Sequence, residues 1–181
     1  LTSMNNLADT LRAQGELPAA RALQEQVLEI RRRVLGEEHP DTLTSMNNLA
    51  GTLRALGDLP TARALHEQEL TICRRVLGVE HPDTLTSMNN LALTLRAQGE
   101  LPAARVLQEQ VMEIRRRVLG EEHPSTLISM NNLASTLRAQ GDLPAARTMQ
   151  EQVMEIRRRV LGEEHPDTLG SMNNLAGTLW A

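Results

Sequence analysis

The residues best placed to do chemistry are two adjacent asparagines inside the string SMNNLA, which recurs at 42-residue intervals at 3–8, 45–50, 87–92, 129–134 and 171–176. Asparagine is a mediocre helix former because its amide competes for backbone hydrogen bonds. A pair repeated inside an apolar pattern therefore has something to place. A carboxamide carries both a donor and an acceptor, the two functions needed to hold a peptide unit without reading its side chain. Seven residues beyond Asn5, Asn47, Asn89 and Asn131 stand Arg12, Arg54, Arg96 and Arg138, while Asn173 is followed by Trp180. At about 100° per residue these fall on one side of a helix. The arginines add bidentate attraction for carboxylates. Between the two rows run Asp9, Gly51, Leu93, Ser135 and Gly177, four residue types in five copies where most positions hardly change. An unconstrained exposed site explains that variation, and so does tuning to a ligand.

The other chemical candidates read as structural. His39, His81, His123 and His165 come one per repeat, without H-x-x-x-H spacing and too far apart to share a metal. A loop hydrogen bond beside the next helix cap is their expected role. The arginine triplets 31–33, 115–117 and 157–159 suggest phosphate binding, but Glu29, Glu113 and Glu155 precede each third arginine by four residues. That is the favourable order for a helical ion pair, so a solvated outer face is expected. Cys73 is the single cysteine, which rules out an intrachain disulfide and a Cys-based zinc site. Its counterparts are Arg31, Arg115 and Arg157, so it reads as a drifted surface position. No nucleophile with a base and no glycine-rich phosphate loop is present, so neither catalysis nor a cofactor or metal is expected.

The elements that position these residues follow from the 42-residue period: 1–42, 43–84, 85–126 and 127–168 are near copies, and 169–181 begin a fifth. Self-similarity at this spacing signals a solenoid. Within the second copy, Leu43, Met46, Leu49, Ala50 and Leu53 form one apolar helical face. Asp41 is the expected N-cap and Gly57 the C-terminal stop. Asp58, Leu59 and Pro60 open a second helix whose apolar positions run to Leu77, and His81-Pro82 ends the unit. The pattern predicts helices of about 15 and 18 residues, joined as antiparallel hairpins. Nine helices result, the last over about 168–181. With no Phe, no Tyr and one Trp, the core must be built from Leu, Met, Val, Ile and Ala. A net charge of −4 makes nucleic acid a poor partner. No apolar run approaches a membrane span and the first residues are no signal peptide, so a cytoplasmic protein is expected.

The run NNLAGTLRALGDLPTARAL resembles the tetratricopeptide repeat, with Met46, Leu49-Ala50, Leu53, Gly57 and Ala62 at the places that mark the family. The closing LGEEHPDT and LGVEHPDT are similar to the 42-residue variety found in kinesin-light-chain-like proteins. Met and Leu stand where the family usually has Trp and another aromatic, which implies the same topology with less shape-specific packing. The resemblance implies an all-α, right-handed α-solenoid of four and a third repeats whose first helices line a concave groove. Asn5, Asn47, Asn89, Asn131 and Asn173, with Asp9, Leu93, Ser135, Arg12, Arg54, Arg96 and Arg138, would then face a bound segment. Stacked helices recur about every 10 Å, close to three residues of extended chain at about 3.3 Å each. An extended peptide or protein segment of acidic leaning is the expected ligand. Asn6, Asn48, Asn90, Asn132 and Asn174 are left between that role and a bond inside the stack. The rival expectation is a self-assembling scaffold. Both ends fall inside a repeat without a capping helix, as in a piece of a longer array, and matching uncapped ends invite head-to-tail association.

Overall fold

A computed structural model describes residues 2–180, with side chains from residue 3 onward. Among the described residues there are nine α-helices and no strand: α1 (Thr2–Ala13), α2 (Leu17–Leu35), α3 (Pro40–Ala55), α4 (Leu59–Val76), α5 (Pro82–Ala97), α6 (Leu101–Leu119), α7 (Pro124–Ala139), α8 (Leu143–Leu161) and α9 (Pro166–Leu179). They divide into two compact units, Leu1–Gln98 and Gly99–Ala181. In the first, each of α1 to α5 packs on its neighbour in sequence and α3 also touches α5; in the second, α6 to α9 pack in succession. This is the hairpin stacking expected of an α-solenoid. No helix among the described residues is long and apolar enough to cross a membrane.

The first helices begin two residues earlier than the cap rule suggests. His39, not Asp41, is the N-cap of α3, and Pro40 is its first helical residue. Proline forces the residue before it into extended backbone, here ψ 136°, while its own φ suits the first turn. The imidazole then does what a serine usually does: Nδ1 of His39 accepts from the Asp41 amide at 3.1 Å. His81, His123 and His165 repeat the bond with Asp83, Ser125 and Asp167 at 3.2, 3.1 and 3.1 Å. The last helix accordingly starts at Pro166. Asp41 sits in the first turn, where its charge opposes the positive end of the helix dipole.

Gly57 stops α3 as expected. Its φ of 85° is left-handed, which lets the Asp58 amide reach back to the Leu53 carbonyl at 2.9 Å. The second helices are capped unevenly. Asp58 and Asp142 accept from the amides of Thr61 and Ala145 at 3.4 and 3.2 Å, whereas Glu16 and Glu100, one methylene longer, make no side-chain cap.

Met46, Leu49, Ala50 and Leu53 are buried, as their periodicity requires, and Met46, Leu49 and Leu53 cluster with Leu28, Leu43, Ala62 and Ile72. A polar layer accompanies them. Thr42, Ser45 and Thr52 are also buried, with hydroxyls satisfied locally: Thr42 donates to the Gly36 carbonyl at 2.8 Å and Thr52 to the Asn48 carbonyl at 3.2 Å. Buried hydroxyls that bond backbone cost little, so the apolar stripe on these helices is narrower than the buried face.

Candidate functional site

The asparagine rows meet in the first unit. Nδ2 of Asn90 on α5 donates to Oδ1 of Asn47 on α3 at 2.7 Å, and both residues are half-buried. Here the second asparagine of one repeat reaches the first asparagine of the repeat before it. The bond uses one acceptor of Asn47 and leaves its amide hydrogens to other partners. Asn5 and Asn89 are half-buried and Asn173 is exposed. In the second unit, Oδ1 of Asn131 is buried without a partner.

Around Asn47 and Asn90 the chain builds a cavity of about 200 Å³, walled by Arg12, Asn47, Asn48, Gly51, Arg54, His66 and Asn90. Members of all three expected rows come together here. Arg54 is half-buried, and Nε has no partner. Burial, then the like charges of Arg96 and Arg12, pull its pKa down. Such a cluster is improved by an anion. His66 replaces the glutamine found at 24, 108 and 150 and was not legible as a site residue. It is fully buried, with Nδ1 3.1 Å from the Thr94 hydroxyl and Nε2 unpartnered. Burial and the Arg54 charge drive its pKa down to about 4, so the ring is neutral. In the variable row, Asp9 is exposed, and Gly51, Leu93 and Ser135 are half-buried. Ser135 turns its hydroxyl to the Asn131 carbonyl at 2.9 Å, and a Cβ at Gly177 would come within 3.0 Å of Arg138 Nη1.

Cys73 is not a surface position, and neither is the arginine it replaces. Arg31 is 7% exposed, and its Nη1 donates to the Asp41 carbonyl at 2.9 Å and to Ser45 Oγ at 2.7 Å. Arg115 and Arg157 make the same bonds to the helices that follow them, at 3.2 and 2.9 Å and at 3.0 and 3.0 Å. The triplets are therefore not one solvated face. Successive residues turn by about 100°, so the first arginine is inserted and the others point elsewhere. Arg159 pairs with Glu122 at 2.7 Å, as the corresponding Arg75 does with Glu38, while Glu155 holds Arg158 at 2.6 Å.

Where the inserted arginine is missing, α4 carries Cys73, 1% exposed, and one turn before it Glu69, 6% exposed. The repeats around it have valine at the latter place: Val27, Val111 and Val153 are fully buried. Burial, with a smaller contribution from Asp83, pushes Glu69 up to about 7 against the opposing Ser87 hydroxyl. Burial likewise raises the Cys73 thiol to about 11, so it stays protonated and inert. A second cavity, of about 210 Å³, lies beside them and is lined by α3, α4 and α5. Among the described residues no group of three His, Cys, Asp or Glu side chains could hold a metal ion.

A family model for the tetratricopeptide repeat matches residues 1–72, 46–116, 89–159 and 131–181. Two crystal structures of kinesin-light-chain-like, nearly identical TPR-like repeats from Podosopora anserina are each 37% identical to the chain. They align over 99% of this chain and 85% of theirs, with TM-scores of 0.87 and 0.86. The crystal structure of BtubC from P. vanneervenii shares the fold at a TM-score of 0.82, with 24% identity over 98% of this chain and 70% of that one. No curated protein matches.

Proposed function

Because the chain belongs to the tetratricopeptide repeat family, whose fold serves as a non-enzymatic scaffold for protein interaction or assembly, we propose that it binds an extended, acidic-leaning segment of a partner protein. The segment lies on the face presented by its first helices. The observation that carries this reading is the polar cavity in which Arg12 and Arg54 converge with Asn47 and Asn90 around a partnerless guanidinium nitrogen. A carboxylate there would offset the burial and the like-charge repulsion that depress Arg54 and supply its missing acceptor. The amide hydrogens of Asn47 remain to hold a peptide carbonyl.

The test is a peptide selected against the whole chain and measured by calorimetry. Arg54→Ala should weaken it tenfold or more, as should replacing Asn89 and Asn131 together by alanine, with far-ultraviolet circular dichroism unchanged. Unaltered affinity in both variants would remove the reading.

A second reading is favoured by the apolar surface of α1 and α9. Leu7 is 51% and Leu179 57% exposed, whereas the counterparts Leu49 and Leu53 are 5% and 1%. Head-to-tail association of copies would cover them, and sedimentation would show weight growing with concentration. Changing Leu175 and Leu179 to polar residues should abolish that growth and spare peptide binding. A monomer at every concentration would sink this second reading alone.

A further inference from the structure

The cavity beside Glu69 and Cys73 has the chemistry of a missing side chain. In three repeats that position holds an arginine, whose Nη1 takes the hydroxyl of a serine and a backbone carbonyl in the first turn of the next helix. In the second repeat the matching acceptors are Ser87 and the Asp83 carbonyl, but the helix facing them supplies a short thiol. Ser87 Oγ is left buried without a hydrogen bond of good geometry. The space is not refilled by larger apolar groups. It stays as a cavity of about 210 Å³ whose walls include Glu69, Cys73 and Asp83, with Thr44, Asn47 and Thr86 of the first helices among its lining.

The second change at this place shifts the charge in the same direction as the first. Where the repeats around it bury valine, the second repeat buries Glu69, and its Oε2 has no partner. A buried carboxylate with one oxygen left without a partner is costly, and a cation that reaches it recovers much of that cost. Removing an internal guanidinium while adding an internal carboxylate leaves a site complementary to an external guanidinium. We propose that this cavity receives the arginine side chain of a bound partner segment, its guanidinium lying against Glu69.

The assignment rests on the peptide-binding reading above and sharpens it, because Asn47 lines both cavities. Arginine is preferred to lysine because its planar fork can serve two acceptors at once, as the inserted arginines do. The remaining charged groups nearby are Glu38, held by Arg75 at 2.7 Å, and Asp83, with Oδ2 3.7 Å from His81 Nδ1. Neither occupies Glu69. With Glu69 poised near neutrality, an arriving guanidinium displaces its proton and secures the ion pair.

N-acetyl-arginine-N-methylamide is the probe, titrated into the whole chain while the methyl resonances of Leu43 and Leu77, which line the cavity, are followed. Saturable shifts are expected with the arginine amide, at least threefold weaker binding with the lysine amide, and none with the norleucine amide. Cys73→Arg gives α4 the residue that its sibling helices carry, and so fills the cavity from within; it should abolish the titration. Glu69→Gln should weaken it tenfold or more. Equal binding by Cys73→Arg, or by the norleucine amide, would overturn the proposal. If a selected peptide binds through the asparagine rows but Cys73→Arg leaves its affinity unchanged, this inference fails and the peptide reading stands. If the arginine amide binds but no peptide can be selected against the chain, the assignment to a partner's side chain is overturned.

Discussion

The junction of α2 with α3 and that of α4 with α5 lie in one compact unit and are built on nearly the same residues, yet they are finished in opposite ways. At the first, Arg31 reaches across and ties two acceptors of the next helix, with Val27 packed one turn before it. At the second, the tie is absent, a carboxyl is buried where the valine was, and a cavity remains. The contrast shows how a solenoid acquires a site. The stack survives the loss of one tie because each hairpin is held by apolar contacts to its neighbours, so two substitutions on one helix face can open a recess without altering the fold.

Moving the two changes is the strongest way to break this comparison. Val27→Glu with Arg31→Cys should turn the first junction into a copy of the second. It loses a fully buried valine and two hydrogen bonds of a buried guanidinium. A loss of about 4 kcal/mol is expected in urea unfolding, combining a buried acid with orphaned acceptors. A loss below about 1 kcal/mol would show that the arginine tie is ornamental.

The reverse change, Glu69→Val, should stabilise the chain, and by an amount that depends on pH. Glu69 has a folded pKa of about 7 against an ordinary 4.5. The folded state therefore holds the proton more tightly, and stability falls as pH rises through that window. At about pH 8 the penalty is about 3 kcal/mol, and at about pH 4 it is nearly absent. The valine variant should gain accordingly at high pH and little at low pH. A pH-independent gain would mean that the carboxyl is not buried as an acid.

His66 acts with the opposite sign. Its pKa falls from 6.5 to about 4 on folding, so the unfolded chain binds the proton better, and stability is lost as pH falls through that range. The contribution is about 2 kcal/mol at about pH 5. In the parent the two residues oppose each other over the shared part of the window. His66→Gln, the residue of the repeats around it, should uncover the fall of stability with rising pH that Glu69 causes. Unfolding curves at about pH 5 and about pH 8 decide it; identical slopes for parent and variant would reject the buried neutral histidine.

Much of this architecture was legible before the structure. The 42-residue period, the apolar face of the first helices and the glycine stop at Gly57 follow from spacing and backbone sterics, and these are strong local signals. Helix starts were less so, since a histidine cap in front of proline competes with the more familiar aspartate at Asp41. The site was half legible. Asn47 and Arg54 do share a cavity, because residues seven apart lie on one helix side, and Arg12 joins them from α1. His66, Glu69 and Cys73 were missed. Each is polar or ambiguous by hydropathy, and near-identical repeats make a departure look like drift. Their meaning lies in a partner on the next helix: Arg31 meets Ser45 fourteen positions later, a distance that no helical period encodes.

That pairing supplies the finest test of the comparison. Ser45 and Ser87 are the same residue at the same place, both buried. Ser45 accepts from Arg31 at 2.7 Å, whereas Ser87 has no arginine to meet. Ser45→Ala should therefore cost about 1–2 kcal/mol, because it strands a buried guanidinium hydrogen. Ser87→Ala should change stability by less than about 0.5 kcal/mol, since the hydroxyl it removes is itself poorly satisfied. If Cys73→Arg is added first, the two serines should become equivalent, and the cost at residue 87 should rise to match that at residue 45. Two serines that remain unequal in that background would show that the helix around the inserted arginine, and not the arginine itself, separates the junctions.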